Sequence, residues 1–404
     1  MTSRTRRIAT LSTMASTLAS GACVAILGLD PLTERAPDAS VPETATPMDA
    51  GPATDAPVCD PDEVGLPRRP TVTGGAETIL FGFTKLDFGI DGIKYGLDLD
   101  NSVTADAAAS RCVLPDASPE TTNRSLDDEG GVDNVAFHLL NGITSIVAAF
   151  APKLINDRLQ ALTYGVALRI DGWNGTPNDG DVIVSIIPTI GTWRPLPNDA
   201  GYEPGPQGKD AMAPDDLYIP DKRFLTGTIG STILTQNAWI RDGKLVARFD
   251  KLIVPIRSSV DEVRAFDVTL RNAWLSATLD LDNGKPASLT LGVIGGRLDP
   301  TDFLREVSLL FDPPSHKYLC ETVDTFSAVF CEARDIRVES CHAPAPCSAV
   351  SFGGAFAALP VQRLGPHLER KDSDYLDPND PDSGRLPPDK RCPGNPTGFA
   401  STCR

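Results

Sequence analysis

The stretches TILTQNAWIRDGKLVARF (232–249) and DVTLRNAWLSATLDLDNGKPASLTLGV (267–293) are two versions of one pattern. Each carries Thr and Leu, then Asn-Ala-Trp, then an apolar residue. Asn237-Ala238-Trp239 stands 35 positions before Asn272-Ala273-Trp274. Each copy runs into a turn signal, Asp242-Gly243 or Asn283-Gly284. Such dipeptides suit the two-residue turns that join antiparallel strands, because both central residues need positive φ. The pattern predicts two hairpins of one antiparallel sheet, with Trp239 and Trp274 in equivalent places. Two copies are too few for a solenoid or a propeller. A looser relative, LRIDGWNGTPNDGDVIVSI (168–186), sets Trp173 before a polar turn and a strand.

The neighbouring sequence extends the sheet. ETILFGFTKLDFGI (77–90) places Ile79, Phe81 and Phe83 on one face, the alternation of a half-buried strand. GIKYGLDLD (92–100) repeats it with Ile93, Tyr95, Leu97 and Leu99, and TYGVALRI and DVIVSIIPTI follow. Residues 196–222, rich in Pro, Gly and Asp, read as a long excursion loop. GVIGGRLDP (292–300) reads as a bulge or tight crossing and not as a phosphate cradle.

Helices are few. Asp133 or Asn134 caps one that runs to about Phe150, with Leu139, Leu140 and Ile143 on its apolar face. Asp299-Pro300 opens a second, with Asp302 in its first turn. Tyr318–Arg334 forms a third. The fold class is therefore mainly β (α+β), an antiparallel meandering sheet or sandwich with two or three helices.

The chain has 404 residues and a net charge of -17. That field repels phosphate, so nucleic acid and anionic lipid surfaces are poor partners. The N-terminus carries Arg4, Arg6 and Arg7, then no charge until Asp30. A basic start, an apolar middle and small residues before a cleavage point make a secretory signal. Ser20-Gly21-Ala22 precedes Cys23, an arrangement that resembles a bacterial lipobox with Ser20 where Leu is usual. Cleavage after Ala22 without lipid, or retention of 8–29 as an anchor, are the other readings of this segment.

Residues 31 to about 70 are Pro, Ala, Thr and Asp-rich without apolar periodicity, the composition of a disordered stalk. Over its first 70 residues the chain thus resembles predicted bacterial surface lipoproteins of unknown function. The resemblance implies location only: a cell envelope or extracellular surface, reached through a lipid on Cys23 as the sole membrane contact, or else secretion. The expected organisation is a signal peptide over 1–22, a stalk over 23–72, a β-rich domain over 73–366 and an irregular tail over 367–404.

Nine cysteines are present, and setting Cys23 aside leaves eight that can pair in an oxidising compartment. No C-x-x-C pair occurs, which disfavours a zinc ribbon. If 318–334 is one helix, Cys320 and Cys331 lie about 16 Å apart, beyond the roughly 7 Å a disulfide allows. They are then not bonded to each other, with Cys341 and Cys347 as the nearest candidate partners. A Cys392–Cys403 bond would pin the tail.

No hydrolase, protease or nucleotide-binding motif stands in the chain. Trp239 and Trp274 are candidates for stacking on sugar rings, against the alternative that they fill a β core. Acidic residues gather at Asp98, Asp100 and Asp106; at Asp127, Asp128 and Asp133; and around Asp171, Asn174 and Asp179. Carboxylates on loops are what Ca²⁺ takes, although Asx turns and helix caps use the same residues. We expect the first two groups to meet in one polar site at an end of the sheet. The function these readings favour is an exported, surface-tethered, non-catalytic binding or scaffolding protein, with structural Ca²⁺ as its one candidate cofactor. The alternatives are an exported hydrolase with glycosidase-like acid and base carboxylates, and a purely structural envelope protein.

Overall fold

The computed structural model describes residues 64–72, 74–89, 95–103, 112–115, 127, 131–137, 139–140, 152–160, 165–195, 202–204, 217–226, 230–257, 265–308, 311–312, 317–318, 323–338, 345–361, 364–365 and 403. The expected signal peptide, Cys23, Asp106, Asp128, and all of the tail except Cys403 lie outside the described residues.

In chain order the elements are β1 (Glu77–Asp87), α1 (Pro152–Gln160), β2 (Gly165–Trp173), β3 (Asp179–Pro195), β4 (Tyr202–Pro204) and β5 (Leu217–Pro220). Then come β6 (Leu225–Thr226), β7 (Gly230–Ser231), β8 (Ile233–Arg241), β9 (Lys244–Arg257), β10 (Ala265–Asp282) and β11 (Lys285–Leu298). The last are α2 (Pro300–Ser308), β12 (Phe311–Asp312), β13 (Lys317–Tyr318), α3 (Val323–Glu332) and β14 (Val350–Pro360). The strands pair in the order β2, β1, β14, β11, β10, β9, β8, β3, and β3 pairs back onto β2. The expected mainly β fold with an antiparallel meandering sheet and few helices is what forms, and the sheet closes into an eight-stranded antiparallel barrel.

Closure removes the two free edges that an open sheet would expose. One seam, β1 on β14, joins the first strand to the last and is held by stacked Phe83 and Phe356 rings 4.7 Å apart. The interior is packed with apolar side chains such as Phe81, Leu168, Val184, Phe249 and Leu275. α1 joins the same core through Ile155 and Leu159, and Asn156 makes a two-way backbone clamp on Leu86. α2 and α3 add Phe303, Leu304 and Phe330. Asp299 caps α2 as expected, accepting the Thr301 N–H at 2.8 Å.

Both expected hairpins form, and Asp242, Gly243, Asn283 and Gly284 all have positive φ. The two tryptophans share a face of the wall but not a place in their hairpins. Trp239 pairs with Val246 close to its turn, whereas Trp274 pairs with Gly295 far from its own. What the repeat encodes is a bulge. β8 uses an extra residue between Thr235 and Ala238 opposite Val184 and Val182. β10 uses one between Arg271 and Trp274 opposite β11, with Asn272 at φ 44°. A bulge inverts the faces of all residues beyond it. Ala238 and Ala273 therefore point into the barrel core, and Trp239 and Trp274 point out of it into a second, outer core.

That outer core is covered by segments expected to be loop or stalk. Val64 and Leu66 are buried in one cluster with Trp239, so packed residues extend into the expected 23–72 stalk. Trp239 Nε1 donates to the Pro67 carbonyl at 2.9 Å, and Arg69 donates to Asn237 Oδ1 at 2.7 Å while lying over the Trp239 ring. In the second copy Asn272 donates to the Val338 carbonyl at 2.9 Å, anchoring the segment after α3. Trp173 is different in kind: it belongs to the inner core and donates to Thr176 in its own turn.

Several expectations need correction. The alternation in 92–100 does not make a strand: among its described residues only Leu97 forms a bridge, to Asp133. The 196–222 excursion contains β4 and β5, which extend the sheet along β3. The third helix starts at Val323, after the short strand β13 at Lys317–Tyr318. Cys331 bonds Cys403, so Cys403 is not paired with Cys392, and Cys347 bonds Cys112. Cys320, Cys341 and Cys392 lie outside the described residues, as do the later turns of the helix expected from Asp133.

The strap over Trp239 gives a test. Trp239→Ala empties a site of 2% exposure, at a cost of about 3–5 kcal/mol, and frees the 64–72 segment. We expect a lower melting temperature together with faster tryptic cleavage after Arg68. Cleavage at the wild-type rate would show that the strap is held elsewhere.

Candidate functional site

Among the described residues, the outer core holds a close convergence of carboxylates. Leu97 and Asp133 form an antiparallel bridge, with the Asp133 N–H donating to the Leu97 carbonyl at 3.1 Å. Asp133 Oδ2 accepts the Leu99 N–H in return. Beyond Leu99 the chain bends: Asn101 takes φ 54°, and Asp98 Oδ1 accepts the Ser102 N–H at 3.1 Å. This turn brings Asp98 and Asp100 to Asp133, where one carboxylate oxygen from each lies within 4.8 Å of the others. The two sequence groups thus meet as expected, although through a turn and not along one face of a strand. Asp127 adds its charge nearby, and Asp106 and Asp128 lie outside the described residues.

Asn134, and not Asp133, caps the following helical residues, accepting the Phe137 N–H at 3.2 Å. Asn134 also clamps the turn to β14, donating to the Tyr95 and Gly353 carbonyls and accepting the Gly353 N–H at 3.0 Å. The approach is close enough that a Cβ on Gly353 would overlap Tyr95. Glycine is required there by contact, not by its backbone angle.

Two partners of the cluster were not identified from sequence. Arg297, on β11, is 0% exposed and donates to the Leu99 carbonyl at 2.6 Å and the Asn272 carbonyl at 3.3 Å. Asp335 follows α3, is buried, and accepts the Ser351 N–H at 2.8 Å. An arginine inside the apolar run VIGGRL was the one available signal for Arg297. Asp335, in EARDIRV, had none.

Burial dominates the electrostatics. It lowers Arg297 to about 10, while Asp133 and Asp100 pull the other way, so the guanidinium remains a cation at neutral pH. It raises Asp335 to about 7, against the hydrogen bonds from Ser351 that favour the carboxylate. Asp133 is raised well above the ordinary range by burial and then by Asp100 and Asp335. Asp98, half-buried, is raised by burial, with backbone N–H groups opposing. Among the described residues the cluster sets Asp98, Asp100, Asp133 and Asp335 around Arg297, and burial favours the protonated forms of Asp98, Asp133 and Asp335. A Ca²⁺ with oxygens at about 2.3–2.6 Å fits the spacing of Asp98, Asp100 and Asp133, which would supply part of the six to eight oxygens required.

The other expected sites resolve into structure. Trp239 and Trp274 meet edge to face, 6.3 Å apart, and at 2% and 1% exposure neither offers a ring face to a sugar. Asp179 is filled by the N–H groups of Asn174, Gly74 and Asp181, which makes the 174–181 group a turn organiser. Among the described residues, no helix is long and apolar enough to cross a membrane. No protein-family model, curated protein or solved structure matches this chain.

The raised carboxyls predict a pH dependence of stability. Between about pH 4 and 7 the folded state holds the Asp335 proton that the unfolded chain releases, so in this window stability falls as pH rises. Asp335→Asn keeps an oxygen for the Ser351 N–H and removes the titration. We expect it to shrink the drop in melting temperature between pH 5 and pH 8, and an unchanged drop would exclude Asp335 as its source.

Proposed function

We propose that the chain is an exported, surface-tethered, non-catalytic binding or scaffolding protein, held to the membrane by a lipid on Cys23. The observation that carries this reading is where the convergent ionisable groups lie. Asp100, Asp133 and Asp335 are 4%, 3% and 7% exposed beneath the turn at 97–103 and the segment at 333–338. A hydrolase needs its acid and base within hydrogen-bond reach of a substrate, and carboxyls sealed in this way serve packing and charge balance instead. The Cys112–Cys347 and Cys331–Cys403 bonds support an oxidising, extracytoplasmic location. Mass spectrometry of the mature N-terminus is the test. A diacylated or triacylated Cys23 is expected, and an unmodified Cys23 or a start elsewhere overturns the tether.

One observation favours a calcium-holding version of the same scaffold: the convergence of the Asp98, Asp100 and Asp133 oxygens within 4.8 Å. Protons and Ca²⁺ compete for those oxygens, and burial raises Asp133 and Asp98, so the metal would act more strongly as pH rises. On this version millimolar Ca²⁺ raises the melting temperature at pH 8 relative to chelator, and the difference fades at pH 5. Coincident curves at both pH values leave the cluster as a proton-balanced structural network.

A further inference from the structure

The strap over Trp239 is held as a bound peptide is held. It runs outside any strand from Leu66 to Pro70, and the barrel's circle of pairings closes without it. The wall supplies donors to its carbonyls. Trp239 Nε1 donates to Pro67 at 2.9 Å, Arg241 donates to Arg68 at 3.2 Å, and the Gly180 N–H donates to Val72. Gly180 leaves the wall bare where Pro70 crosses it, since a Cβ there would meet the Pro70 carbonyl at 2.3 Å. The side chains add sequence. Val64 and Leu66 are buried in the Trp239 cluster, and Arg69 lies over the indole, 5.2 Å from its centroid, while donating to Asn237 at 2.7 Å. Pro67-Arg68-Arg69-Pro70 is a P-x-x-P segment, and docking of such segments on an aromatic surface is a general mode of peptide recognition.

The sequence that fits this strip of wall is the strap's own, and a second copy of the chain presents the same sequence. Gly65, Arg68, Arg69, Thr71 and Val72 are exposed, so the strap can part from the wall without opening the inner core. It joins β1 by way of Gly74, which takes φ 64° with nothing within 4 Å of where a Cβ would lie. A glycine there can hinge, because it reaches negative φ as readily and so can swing the strap away from its own wall. Charge allows the exchange as well. The strap carries two arginines and no acid on a chain of net charge -17, and that attraction does not distinguish its own acidic body from a partner's. Exchange of one identical element between two copies gives a closed two-fold dimer in which every strap contact is kept.

We propose that the strip of wall formed by Gly180, Asn237, Trp239 and Arg241 is a peptide-binding site, and that its partner in trans is the 64–72 strap of a second copy, exchanged about Gly74. The inference adds self-association to the scaffold reading, and neither the lipid on Cys23 nor Ca²⁺ enters its test. Each chain's own strap competes at an effective concentration of about 1 mM, so the dilute full-length protein is a monomer. Gly74→Pro cannot hold positive φ and is expected to make the full-length protein a dimer by light scattering at micromolar concentration. Adding Trp239→Ala, or an excess of the free peptide VGLPRRPTV (64–72), is expected to return the monomer. The Arg69→Glu version of the peptide is expected to act about tenfold more weakly, having lost the ring contact and the bond to Asn237. Wild-type protein reads the exchange without a substitution. Two batches carrying different fluorophores, mixed at millimolar concentration, are expected to show energy transfer that the free peptide abolishes. Absence of transfer in the wild type, a Gly74→Pro protein that folds as a monomer, a dimer that persists with Trp239→Ala or excess peptide, or equal potency of the two peptides would each overturn the proposal.

Discussion

Arg297 is a cation withdrawn entirely from water, and the outer half of the molecule is arranged around that fact. An unpaired buried charge costs far more than a single domain's stability allows. Its guanidinium therefore needs acceptors on several sides. The carbonyls of Leu99 and Asn272 provide two, and the fields of Asp133, Asp100 and Asp335 provide the rest. Besides Asn272 of β10, those groups come from three segments outside the barrel strands. The 97–103 turn, the residues around Asp133 and the stretch after α3 are thus drawn to one point on the barrel wall. The same geometry gathers carboxyls out of water, and burial raises Asp98, Asp133 and Asp335.

The duplicated Asn-Ala-Trp serves this arrangement. In a barrel whose outer wall met water, outward positions would be polar. Here the bulge at each Asn turns a small Ala inward and a Trp outward, so the wall is apolar on both faces for part of its circumference. The asparagines then bind the covers: Asn237 takes Arg69 of the N-terminal strap, and Asn272 takes the Val338 carbonyl. The two copies are related by what they hold down and not by their distance from a turn.

Much of the wall was legible in the sequence because its signals are local. Period-two alternation marked β1, the Asp-Gly and Asn-Gly dipeptides marked two turns, and Asp299-Pro300 marked the start of α2. The meeting of Asp98 and Asp100 with Asp133 was also legible, since short chain connects them. Closure was not, because the pairing of β2 with β3 and of β1 with β14 completes a circle that no single strand records. Leu97 and Leu99 alternate like strand residues yet lie in a bend, since irregular backbone can bury apolar side chains wherever an outer core exists to receive them. The packing of residues 64–72 was hidden by a Pro-rich composition that in isolation reads as stalk.

The seam between β1 and β14 joins Phe81 to Pro360. Until that last strand has been synthesised, the first has a neighbour on one side only, and the barrel cannot shut. Contacts of such long sequence separation make for slow folding, since the loop-closure entropy comes before the reward. The emerging chain therefore remains open and threadable for most of its synthesis, with no closed β structure to unravel.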